Sequence, residues 1–164
     1  MIHASPLYSG SILFRIEGSM NYLNKLCDSG DESENTDTFF SLGFEFLEAA
    51  RALHETPIVS IKYWVPIFYL AGHAAELLLK SFLVKRGLTV SELKKKGHNL
   101  NDLIELSKIR GLSIDLIAIP KLSYLYLDKR FEYRKNNTSS LPDEDLLIEE
   151  VYRLFNEINR IDSD

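Results

Sequence analysis

At 164 residues the chain has the length of one domain, and its 45% hydrophobic and 26% charged content excludes a disordered or fibrous protein. A net charge of −5 argues against strong, unspecific nucleic-acid binding by the surface as a whole. The lone cysteine, Cys27, excludes an internal disulfide and makes a reducing cytoplasm the expected compartment.

Residues 1–10 lack the basic segment and apolar core of a signal peptide. From Ser11 to Cys27, apolar Leu13, Ile16, Met20, Leu23 and Cys27 follow helical spacing, although Gly18 weakens a helix there and Tyr8–Phe14 also reads as extended. Asp28–Asp37 is acidic, without periodicity, and reads as a loop. Residues 1–35 are thus an N-terminal helix or arm with an acidic loop, preceding a helical core over 36–161. Thr36 or Asp37 can cap a helix running to about His54, with Phe39, Phe40, Phe44, Leu47 and Leu53 on its apolar side. Pro57 ends it. Val59–Trp64 reads as an extended lead-in. Pro66 then fits the first turn of a long apolar helix that stops at Gly87, a residue suited to the left-handed C′ position.

Thr89-Val-Ser-Glu92 has capping-box spacing and opens a short helix to Gly97. Asn99 or Asn101 opens the next, with Leu100, Leu103, Ile104 and Leu106 apolar, ending at Gly111. Ser113–Asp128 is largely apolar, and Pro120 either kinks a helix there or begins its second half. Asn136–Ser140 is loop-like. Pro142 fits the first turn of a last helix buried through Leu146, Leu147, Val151, Leu154, Phe155, Ile158 and Ile161. No credible pair of strands emerges, so the expected class is all-α: a bundle of four or more helices with short connections.

The stretch Trp64–Val84 approaches a membrane span in length, but His73, Glu76 and Lys80 near its middle make insertion costly, so no membrane association is expected. Those three residues follow spacings of three and four, forming one narrow stripe on a helix that Tyr69 extends. Three readings compete. Glu76 and Lys80 form an ordinary surface ion pair; or a His–Glu hydrogen bond sets an imidazole tautomer beside a phosphate-binding Lys80; or the group specifies pairing at a dimer seam.

The run Tyr69-Leu-Ala-Gly-His-Ala-Ala-Glu-Leu-Leu-Leu-Lys80, then Gly87, then Leu93-Lys-Lys-Lys-Gly-His-Asn-Leu100 with Leu103, resembles a HEPN-type domain. Arg130-Phe-Glu-Tyr-Arg134 matches the aromatic-basic segment of such proteins. The resemblance spans residues 64–135. It implies an antiparallel helical bundle, commonly a homodimer, acting on RNA or nucleotides in a prokaryotic toxin–antitoxin or defence-type setting with a cognate protein partner. HEPN ribonucleases carry an Arg followed after four to six residues by a His on a late helix. Here Arg130 and Arg134 lead into a segment without histidine, and His3, His54, His73 and His98 all precede Arg110. The usual ribonuclease pair is absent.

Cationic residues gather at Lys80–Lys96 and Lys129–Lys135. Lys94, Lys95 and Lys96 with His98 form one candidate phosphate or RNA contact, and Arg130 with Arg134 a second, in which Tyr133 offers a stacking ring. Against the first stands a His98 that merely fixes a loop through backbone hydrogen bonds. Against the second stand cations that complement a helix C-terminus. His73 and His98 are the candidates for proton transfer should a metal-independent ribonuclease chemistry persist. Phosphate-cradling glycine loops, metal-spaced Cys or His sets and nucleophile elbows are missing, so neither metal nor cofactor is expected. A plain dimerisation or interaction module is the remaining alternative.

Overall fold

The computed structural model describes residues 36–56, 64–127 and 141–161. The helices in these segments belong to one compact unit, residues 34–164. The sequence readings for 1–35, Val59–Tyr63, Arg130, Tyr133, Arg134 and Asn136–Ser140 lie outside the described residues. Those residues form six helices and no strand: α1 (Thr36–Glu55), α2 (Trp64–Lys85), α3 (Val90–Lys96), α4 (Leu100–Ile109), α5 (Ala118–Leu127) and α6 (Glu144–Ile161). The all-α class holds.

Helix α2 is the central rod, packing against α1, α4, α5 and α6. It is long and apolar enough to cross a membrane by composition, yet most of its surface is buried by its neighbours. Phe68, Ala71, Ala74, Ala75, Leu78, Leu79, Phe82 and Leu83 are each almost completely covered. Small residues let two neighbours come close. A Cβ on Gly43 of α1 would stand 3.0 Å from Leu78 Cγ, and one on Gly72 of α2 would stand 2.8 Å from Tyr126 Cδ2. The contact at Gly72 is closer than a side chain tolerates and that at Gly43 is tighter than ordinary packing, so glycine lets α5 and α1 approach the rod. Helix α6 meets α1 through Phe155, which stacks on Phe40 and Phe44 at centroid distances of 4.9 and 4.7 Å.

Helix ends follow local chemistry. Gly87 takes φ +90°, and the Leu88 N–H donates to Leu83 O while the Gly87 N–H donates to Val84 O, a Schellman closure. Gly111 closes α4 the same way, with Leu112 N–H to Ser107 O. The Thr89–Glu92 capping box forms in both directions. Pro66 lies in the first turn of α2, where a missing N–H costs nothing.

Two readings need correction. Pro142 is not in the first turn of α6: Asp143 is the cap, its Oδ1 accepting the Leu146 N–H at 3.0 Å, and Pro142 precedes it. Residues 113–117 are not helical, because α5 starts only at Ala118. The reason is distant in sequence. The buried carboxyl group of Glu150, on α6, accepts the N–H groups of Ile117, Ala118 and Ile119 at 2.6, 2.8 and 3.0 Å. Residue 120 is proline, which has no N–H to satisfy. Glu150 therefore takes every orphan donor of that first turn up to Pro120, and Pro120 lies in the first turn of a helix rather than kinking one.

Candidate functional site

The polar stripe of α2 sits on the central rod, so its carboxylate has to be satisfied from neighbouring helices. Glu76 is almost fully buried, with 2% of its side chain exposed. Lys80, one turn along, donates to Oε1 at 2.5 Å. Tyr126 of α5 donates its hydroxyl to Oε2 at 2.7 Å. His98, in the connection between α3 and α4, places Nδ1 3.0 Å from both oxygens. His73 stands 3.8 Å from Oε2 through Nδ1, and that same nitrogen lies 3.0 Å from the Tyr126 hydroxyl.

Burial alone would push the Glu76 carboxyl up. The His73, Lys80, His98 and Tyr126 donors around it more than offset this and hold it well below the usual carboxylate range. An ionised carboxylate only accepts, so the His98 contact requires hydrogen on Nδ1. Tyr126 has one hydroxyl hydrogen and gives it to Glu76. Its oxygen must therefore accept from His73, which also carries hydrogen on Nδ1. The network thus assigns both imidazoles the same tautomer, with Nε2 as the open nitrogen of the neutral ring.

Three features hold this arrangement. Gly72 lets the Tyr126 ring lie against α2. Ser123, three residues before Tyr126 on the same helix, accepts the Asn101 N–H at 3.1 Å and contacts Asn99 Oδ1 at 3.4 Å. Asn99 caps α4 by accepting from Asp102 N at 3.3 Å. One helix, α5, thus fixes both the start of α4 next to His98 and the tyrosine beneath it. Phe46 of α1 meets the His73 ring edge-on at 4.4 Å, and Tyr69 lies parallel to His73 with centroids 6.2 Å apart.

The structure removes two of the readings of these residues. Glu76–Lys80 is not a surface pair. His98 binds a side chain rather than acting as a backbone cap, and Asn99 supplies the cap instead. Lys94, Lys95 and Lys96 are exposed at the end of α3, separated from His98 by Gly97, whose φ is +61°. His98 is itself 56% exposed in its side chain, so the ring reaches from the buried carboxylate to solvent. Tyr126 and Gly72 are the site residues that sequence reasoning missed.

Two further polar contacts tie α1 to α6. Tyr152 donates to Glu48, which also pairs with Arg51 at 2.8 Å, and burial together with Glu48 pushes the Tyr152 hydroxyl up. His54 Nε2 lies 2.8 Å from Asp145 beside an open hollow of about 460 Å³ formed with Phe68 and residues 141–145. That hollow shares no residue with the Glu76 cluster. Among the described residues, no group of three or more His, Cys, Asp or Glu side chains has the geometry to hold a metal ion.

Comparison with protein-family models, curated proteins and solved structures gave no match to this chain.

Proposed function

We propose that this chain is a HEPN-like helical bundle that binds RNA or a nucleotide phosphate, working as a homodimer in a toxin–antitoxin or defence-type module. One observation carries the reading. The residues behind the resemblance, from Tyr69 to Lys80 and from Lys94 to Leu100, supply most of one cluster, in which buried Glu76 anchors an exposed histidine that follows three exposed lysines in the chain. The lysines supply charge for phosphate, and the anchored ring supplies a fixed point of recognition.

Fluorescence anisotropy with a labelled single-stranded RNA tests it. The wild type binds with a steep salt dependence. Lys95→Glu and Lys96→Glu weaken binding, and each flattens the slope of log K against log salt by about 0.7, the share of one phosphate contact on a single strand. Binding unaffected by both changes and insensitive to salt would exclude this surface. A second reading, a metal-independent ribonuclease, is favoured by the His98–Glu76 pair alone, since a carboxylate on Nδ1 leaves Nε2 to accept a proton. Cleavage of the labelled strand that His98→Ala abolishes would select it.

A further inference from the structure

Resting on the RNA-binding reading, we propose that His98 reads the sugar rather than the phosphate: its Nε2 accepts a hydrogen bond from a ribose 2′-hydroxyl, next to a phosphate held by Lys95 and Lys96. The direction of the hydrogen bond decides this. His98 has given its Nδ1 hydrogen to Glu76, at 3.0 Å from each oxygen. In the neutral ring, Nε2 is then an acceptor. Phosphodiester oxygens are acceptors too, so that nitrogen gains nothing from them. The donor that every RNA nucleotide carries beside its phosphate, and that DNA lacks, is the 2′-hydroxyl.

The ring is also preorganised for the task. Tyr126 stands edge-on to it at 6.3 Å, and the adjacent Asn99 is tied to both α4 and Ser123. More than half of the side chain is exposed to an approaching strand. Lys80 does not compete for the ligand's phosphate, because its 13%-exposed side chain is spent on Glu76. Exposed lysines give affinity without regard to the sugar, so discrimination falls to His98.

The experiment uses three strands of one sequence, with ribose, deoxyribose or 2′-O-methyl ribose throughout. It is run at pH 8. The 2′-O-methyl group accepts but cannot donate, so it isolates the proposed bond from sugar shape. The wild type binds the ribose strand about threefold to tenfold more tightly than either other strand, the value of one hydrogen bond. His98→Phe, which keeps a ring but no acceptor, binds all three alike. AMP and dAMP run alongside separate a strand from a free nucleotide. Equal wild-type binding of the three strands overturns the inference while leaving nucleic-acid binding intact. So does 2′-O-methyl RNA that binds as well as RNA, or a sugar preference confined to AMP. A wild type that binds no strand at all overturns the RNA-binding reading and this inference with it.

Discussion

Glu76→Ala lowers stability by about 3–5 kcal/mol, the cost of removing one partner from a buried ionic group. The loss is large because one side chain serves several donors. Lys80 keeps a part-buried charge without a counter-charge, Tyr126 keeps a buried hydroxyl without an acceptor, and His98 loses its anchor. The measurement is the denaturant midpoint at unchanged slope. Glu76→Gln keeps the shape and one carbonyl acceptor but turns an amide NH2 toward donors, and it falls between the two.

Acid separates charge from shape. The folded Glu76 carboxyl is held below its ordinary value near 4.5. Its contribution is therefore complete above that value and fades as pH falls below it toward the folded value. The wild type has this contribution to lose and Glu76→Gln does not. The stability gap between them narrows as pH is taken from about 5 toward 3. A gap that stays constant, or widens, would mean that Glu76 is not held ionised by its neighbours.

The second large effect is expected at Glu150. Glu150→Ala removes the acceptor for the N–H groups of Ile117, Ala118 and Ile119 at once. Ala118 and Ile119 are fully buried, so water cannot replace it there. At about 1–3 kcal/mol for each buried donor left without a partner, the change costs roughly 3–4 kcal/mol. Glu150→Gln retains one carbonyl oxygen and costs about half as much, since that oxygen can still accept. Hydrogen exchange adds a local readout: the amides of Ala118 and Ile119 lose protection first. Unchanged protection there, with a normal midpoint, would show that α5 starts without help from α6.

The seam on α2 was legible because helical spacing converts directly into a shared face. His73, Glu76 and Lys80 do lie together, and the glycine stops at Gly87 and Gly111 come from purely local chemistry. What spacing cannot give is the partner on another element. Tyr126 is fifty residues from Glu76 and reads as one more apolar residue in a long apolar run. A signal was available in the small-residue run Ala71-Gly72-His73-Ala74-Ala75, which marks a face where another helix comes close. Glu150 hides among the acids of α6, yet it falls between Leu147, Val151 and Leu154 on the buried side of that helix. An acid inside the apolar stripe, rather than opposite it, is the mark of a carboxyl group with an internal task. For His98, the lysines and the glycine before it pointed to the surface, and nothing near it in sequence pointed to a carboxylate twenty-two residues upstream.

The most direct test of the Glu76 cluster is the tautomer of its two histidines, read from the imidazole nitrogen shifts of nitrogen-15-labelled protein by NMR at pH 8. The arrangement described here requires hydrogen on Nδ1 and an open Nε2 in both His73 and His98. A neutral His98 ring with its single hydrogen on Nε2 would contradict it, since Nδ1 could then not donate to Glu76 and Nε2 would no longer be an acceptor.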